Sequence, residues 1–192
     1  ETETINQGAE AVLAFIMEPI GGAATAALTA PQVYYTRVRE ICDQYGVLLI
    51  FDEVISFRLG FEGAQGAFGV TPDLTTIAKI IGGGFPVGAV TGSRDVMAVF
   101  DPRQGKPLAP HGGTFNANPV TMVAGQAAMS LMTRDEFDRL DVLGDRIRDG
   151  IARAFADTGV DGQVTGMGSL FRIHMTSAPL TDYRTSLSAA VH

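Results

Sequence analysis

Val47-Leu48-Leu49-Ile50-Phe51-Asp52-Glu53-Val54 is the stretch on which the fold of this chain turns. A short, β-rich apolar run, bounded by Gly46 on one side and by two carboxylates on the other, predicts a buried strand. Open parallel sheets bind ligands outside the carboxyl ends of their strands, so the acid at Asp52 stands where chemistry is done. The plainer reading, that Asp52 and Glu53 only close the strand and begin a loop, has to be overturned by the rest of the chain.

Upstream, Ala11-Val12-Leu13-Ala14-Phe15-Ile16-Met17 is a second continuous apolar run, closed by Glu18-Pro19 because proline cannot continue a ladder. Between the two runs Pro31 opens a helix in which Tyr34, Val38, Ile41, Cys42 and Tyr45 recur at helical spacing, and Gly46 stands at its carboxyl end. Strand 11–18, helix 31–45 and strand 47–53 therefore predict a right-handed crossover with parallel strands. Downstream, residues 56–72 carry four glycines and little periodicity and read as a long loop at the sheet's carboxyl edge. Leu74-Thr75-Thr76-Ile77-Ala78 is a short strand with Lys79 at its end. Gly82-Gly83-Gly84-Phe85-Pro86 then forces a turn, and residues 87–91 return as a strand, antiparallel because the connection is so short. Ser93 caps a short helix over 94–100, and Asn118-Pro119 launches a helix of small residues through about Met132. Phe137, Leu140, Leu143, Ile147, Ile151 and Phe155 mark a long amphipathic helix that Gly159 stops. Residues 163–165 and 170–175 read as strands of a separate layer.

Composition narrows the class. The 192 residues are 46% hydrophobic, enough for a sizeable core, and correspond to one or two domains at roughly 100–200 residues each. A net charge of −7, with 14 scattered basic residues, argues against a nucleic-acid surface. The single cysteine, Cys42, leaves no disulfide framework or cysteine-ligated zinc site within one copy and favours a reducing compartment. No run approaches the ~18 apolar residues of a membrane span, and the polar start Glu1-Thr2-Glu3-Thr4 is no signal peptide, so a soluble, membrane-free protein is expected, and with the reducing compartment a cytoplasmic one. The chain starts without Met and stops without a terminating device, so a piece of a longer protein is expected.

Three acids or amines now follow apolar runs: Glu18, Asp52 and Lys79. Parallel strands share one carboxyl edge, which turns all three toward one crevice. Lysine is normally a solvated surface residue, but Lys79 is flanked by Ile77, Ala78, Ile80 and Ile81, and an amine held among them is desolvated and made more nucleophilic. A carboxylate aimed from a neighbouring strand at a ring nitrogen completes the arrangement that pyridoxal phosphate enzymes use. The triple glycine lacks the Lys-Ser/Thr ending of a nucleotide loop and the strand-to-helix placement of a dinucleotide fingerprint. His111 and His174 are too few and too separated for a metal site; they read as a loop histidine and a half-buried strand histidine. Glu18 either anchors the floor of the site or simply ends its strand, and Arg58 is either a fork for a substrate carboxylate or a surface charge.

Three blocks make the reading specific: Phe51-Asp52-Glu53-Val54, then the continuous block from Asp73 through Lys79 and the triple glycine to Ala89, then Gly112-Gly113-Thr114-Phe115-Asn116-Ala117-Asn118-Pro119. In order and spacing they resemble the class III pyridoxal-phosphate-dependent aminotransferases of fold type I, over about residues 11–175. The resemblance implies that Lys79 forms the Schiff base with the cofactor, that Asp52 pairs with its pyridine nitrogen and that Val54 packs against the ring face. It also implies a homodimer in which Thr114 reaches the cofactor phosphate of the partner subunit. The implied fold is α/β, a mostly parallel sheet flanked by helices. Residues 1–134 would form the second half of the cofactor-binding major domain, 135–158 a connecting long helix and 159–192 the start of a smaller α+β domain.

Within the family, the loop Ile20-Gly21-Gly22-Ala23-Ala24 lacks the downstream Glu of many ω-aminotransferases and the Gly-Asn-Met pattern of the glutamate-1-semialdehyde aminomutases. The shortened turn Ser56-Phe57-Arg58-Leu59, with Phe100-Asp101-Pro102, is most similar to the β-amino acid aminotransferases. The expected activity is transfer of an amino group from a β- or ω-amino donor to a keto acid with ping-pong kinetics. The rivals are a glutamate-1-semialdehyde 2,1-aminomutase or racemase with the same cofactor, and an inactive structural fragment.

Overall fold

The computed structural model describes residues 12–22, 26–103 and 105–189; Ala11, Ala23 and Ala24, used in the sequence reading, lie outside them. β1 (Ala14–Met17), β2 (Leu48–Asp52) and β3 (Leu74–Ala78) run parallel in that order. β4 (Gly88–Gly92) closes the sheet antiparallel to β3, the nine-residue connection 79–87 being too short for a parallel crossover. The crossover helix α1 (Gln32–Tyr45) starts after Pro31, whose ψ of 148° keeps it outside the helix, and ends at Gly46 in the left-handed conformation that glycine adopts without steric cost.

Burial on β2 alternates, as strand geometry requires: Leu49 and Phe51 are fully enclosed while Leu48 and Ile50 are half-buried. α1 covers the first face with Tyr35, Val38, Ile41 and Cys42. The expected stripe is therefore corrected at its two ends. Tyr35, and not Tyr34, is enclosed, its ring stacked on Phe68 at 4.0 Å and its hydroxyl donating to the Pro19 carbonyl at 2.6 Å, whereas Tyr45 is exposed. The second face is less covered than a continuous apolar run suggests, with Ile16 of β1 59% exposed.

The expected long irregular loop is also corrected. Residues 56–72 contain a helical turn at Ser56–Leu59 and a short helix, α2 (Gly63–Phe68), capped by Gly69 at φ 60°. Two turns of helix are too few to show a period in sequence, yet Ala64 and Phe68, four residues apart, both enter the core.

Beyond β4, Ser93 accepts a hydrogen bond from the Val96 amide to cap α3 (Arg94–Met97), and a further turn spans Ala98–Phe100. Asn118 caps α4 (Pro119–Leu131) through the Val120 amide, and Thr133 caps α5 (Arg134–Thr158) through the Glu136 amide. The triple glycine finds its reason here. Gly83 has φ 58°, and a Cβ on it would strike the Ala124 carbonyl of α4; a Cβ on Gly125 would strike the Ile81 carbonyl. Glycine on both sides lets α4 lie directly on the turn that follows Lys79. β5 (Gln163–Met167) and β6 (Leu170–His174) form an antiparallel hairpin, of which Met167 and Leu170 pack against the main core, and α6 (Tyr183–Ala189) follows. Among the described residues no helix is long and apolar enough to cross a membrane.

Candidate functional site

Because β1, β2 and β3 are parallel, Glu18, Asp52 and Lys79 do emerge at one edge of the sheet, each at or directly after the end of its strand. Asp52 is the best defined. It is registered against Thr76 of β3, whose hydroxyl donates to Asp52 Oδ1 at 3.0 Å; the Val54 amide donates to the same oxygen at 3.1 Å. The second contact is the local turn that an aspartate makes with the backbone two residues on. Among the described residues Asp52 Oδ2 accepts no hydrogen bond.

Lys79 directly follows β3. Strand alternation would put it on the face opposite Thr76, three residues earlier, but Lys79 has φ 50°, rare for a residue with a side chain, and begins a helical turn, so the alternation is broken at this residue. Strain of this kind collects at functional positions. Lys79 is exposed, so the desolvating apolar shell expected around it is not built by the described residues; Ile80 and Ile81 continue along the turn instead. A cleft of about 650 Å³ opens beside this edge, lined by Val54, Thr76, Ile77 and Ala78 and, across from them, by Phe100 and His111. Asp52 is bonded to two lining residues, Val54 and Thr76, and Lys79 follows a third, Ala78. The volume suits a small ligand, and apolar walls with one carboxylate and one amine alongside match a flat, polar-edged ring.

Glu53 has a role that the sequence reading missed. It is 0% exposed and accepts from the Ala64 amide at 2.6 Å, the Gln65 amide at 3.1 Å, the Gln65 side chain at 3.2 Å and the Ser56 hydroxyl at 3.4 Å. Burial pushes its carboxyl above the usual range, and these four donors oppose that shift. It fastens α2 to the end of β2. Its own amide donates to the Thr76 carbonyl at 2.9 Å, extending the β2–β3 pairing past Asp52. At the other end of β3, Asp73 accepts from the Leu49 amide at 2.7 Å and from Arg39 at 2.8 Å; those bonds hold its carboxyl below the usual range against the cost of desolvation. The signal for Glu53 was present in sequence as a carboxylate in phase with Leu49 and Phe51.

The remaining candidates scatter. Glu18 is exposed and accepts from the Gly22 amide at 2.6 Å, which favours the plain strand-end role. Arg58 is exposed, donates to Ser169 at 3.3 Å in the β5–β6 turn and lines neither cleft. Thr114 lies exposed in the loop before α4, next to Phe115 and Asn116, which line a second cleft of about 920 Å³ with β4 and α4. His111 stands 3.3 Å from the Asn116 side chain and touches both clefts, and His174 is buried beside the Thr165 hydroxyl at 2.9 Å.

Known proteins share this chain's family and fold. A glutamate-1-semialdehyde 2,1-aminomutase of Methanothrix thermoacetophila is 42% identical over 169 residues, 88% of this chain and 38% of the relative. The crystal structure of an ω-transaminase from Sphaerobacter thermophilus superposes with a TM-score of 0.91 at 54% identity, over 96% of this chain and 42% of that one. A β-phenylalanine aminotransferase from Variovorax paradoxus does so with a TM-score of 0.87 at 36% identity, over 100% of this chain and 43% of that one. The chain thus spans about two fifths of the length of these proteins. The parallel sheet with Asp52 and Lys79 at one edge, and the match of the aminotransferase class-III family profile to residues 2–190, lead to one statement: the chain belongs to the class-III aminotransferase family, with the fold type I architecture of those enzymes.

Proposed function

We propose that the protein containing this chain is a pyridoxal-phosphate-dependent aminotransferase that takes its amino group from a β- or ω-amino donor and gives it to a keto acid in two half-reactions. The observation that carries this reading is Asp52 at the end of β2, with Oδ1 held by Thr76 and Val54 and Oδ2 without a partner among the described residues, in the same edge as Lys79. Pyridoxal phosphate supplies an aldehyde that condenses with amines and a protonated ring that draws electrons from the attached carbon. Asp52 would hold the proton on the ring nitrogen, and Val54 would pack against the ring. The Lys79 amine would anchor the group and then, once displaced by an amino donor, carry a proton between donor carbon and cofactor carbon. The relatives named for ω- and β-amino substrates, with the short turn at Ser56–Leu59, support the donor class.

The same reading gives a homodimer in which Thr114 binds the phosphate held by the partner subunit. The exposed apolar residues Phe115 and Val123, 83% and 67% accessible, support such an interface. Residues 1–134 then belong to the cofactor-binding domain, 135–158 link it to a smaller one and 159–192 begin that domain. Cys42, free and buried, goes with a cytoplasmic location.

Borohydride treatment of the whole protein with bound cofactor, followed by peptide mass mapping, tests the proposal. The cofactor should be fixed on Lys79 and absent from Lys79→Ala; fixation elsewhere removes the mechanism. The aminomutase reading is favoured by the Methanothrix relative, and consumption of a keto acid separates the two, because an aminomutase returns the amino group to the same skeleton.

A further inference from the structure

The proposed mechanism uses Thr76 only as a contact of Asp52 and gives it no role in the reaction. It faces Asp52 across the β2–β3 register, lines the 650 Å³ cleft with Val54, and gives its hydroxyl to Asp52 Oδ1 at 3.0 Å. Its carbonyl meanwhile accepts from the Glu53 amide at 2.9 Å, and Glu53 is itself fully buried and anchored by four donors. Thr76 is therefore held by its backbone on one side and holds Asp52 with its side chain on the other. The last torsion of an aspartate is soft and broad, so the plane of an unrestrained carboxylate rotates readily. Two donors on one oxygen, from Thr76 and from the Val54 amide, remove that freedom. A β-branched side chain has few rotamers, which keeps the hydroxyl aimed.

We infer that Thr76 is a positioning residue for the reaction: its hydroxyl fixes the plane of the Asp52 carboxylate, so that the oxygen it does not hold is aimed at the ring nitrogen of the cofactor. This rests on the reading that Asp52 pairs with that nitrogen, and the experiment keeps the two apart. A valine at this position keeps shape and strand preference and removes only the donor; a serine restores the donor without the methyl.

The whole protein is prepared as the parent and with Thr76→Val, Thr76→Ser, Asp52→Asn and the Asp52→Asn/Thr76→Val pair. Borohydride mapping of the parent comes first; cofactor fixed away from Lys79 overturns the mechanism and this inference with it. With fixation at Lys79, Thr76→Val should lower kcat about tenfold, the worth of one hydrogen bond to a charged group, with KM nearly unchanged. The pH at which the cofactor's visible-edge band titrates should move, and Thr76→Ser should return both readings most of the way. In the pair, Thr76→Val should add nothing to Asp52→Asn. An unmoved band and kcat in folded Thr76→Val, a serine as impaired as the valine, or additive losses in the pair would each overturn the inference. Should valine not fold, Thr76→Ala removes the same hydroxyl, and failure of both to fold assigns Thr76 to the sheet alone.

Discussion

Two carboxylates one residue apart end β2 on opposite faces of the sheet, and the protein treats them in opposite ways. Glu53 continues the buried face of Leu49 and Phe51 and accepts four donors, three of them from α2, so its charge is used up in holding a helix to a strand. Asp52 points to the half-open face, where two donors share one oxygen and the other is left for something outside the described chain. Alternation along a strand makes this division automatic: adjacent side chains cannot serve the same face. A strand ending in two acids can thus join a structural tie to a functional group without either disturbing the other.

The largest effect that would sharpen the contrast is in turnover. Asp52→Asn keeps the size and the Oδ1 contacts but removes the charge. It should reduce kcat about a hundredfold or more, in the range of losing a preorganised electrostatic group, while the unfolding midpoint of the cofactor-free protein stays close to the parent's. A midpoint that falls as far as turnover would break the contrast, because Asp52 would then be a structural acid too.

Glu53 should show the reverse. Glu53→Leu leaves the buried Ala64 amide and the half-buried Gln65 amide without an acceptor and should cost about 3 kcal/mol in urea unfolding, while turnover per folded molecule changes far less. pH gives a second check with a defined sign. Burial raises the Glu53 carboxyl above its ordinary 4.5, so folding favours the protonated form. The associated stability is present below pH 4.5 and is lost as pH rises through the raised value. The stability difference between parent and Glu53→Gln should therefore shift against the parent across that window. A difference independent of pH would mean that Glu53 ionises in the fold as it does in the unfolded chain.

The smallest effect concerns Arg58, exposed and turned to Ser169 at 3.3 Å. Arg58→Ala should alter stability by less than about 0.5 kcal/mol and leave KM for carboxylate-bearing donors unchanged. A severalfold rise in KM would restore Arg58 as a substrate fork.

What could be read in sequence was what local periodicity carries. The apolar runs placed β1 to β3, the glycine after Tyr45 and the asparagine before Pro119 placed helix ends, and acids and an amine after apolar runs marked one edge. The reading slipped where periodicity is too short or too degenerate. Tyr34 and Tyr35 are equally apolar, and only the position of Phe68 and the Pro19 carbonyl selects Tyr35 for the core. α2 is six residues long and is held by Glu53, which the chain does not advertise as a tie.

By itself, then, the amino-acid sequence determined the strand–helix–strand order, the family and the residues that could be reactive, because hydrophobic period, caps and motif spacing are properties of neighbours along the chain. Only the tertiary structure decided which acid is tied down and which is offered, that a threonine twenty-four residues away steadies Asp52, and that glycines on two elements let α4 lie on the turn after Lys79. Those outcomes depend on strand register and on contacts between distant segments, and register is settled by how the whole sheet packs.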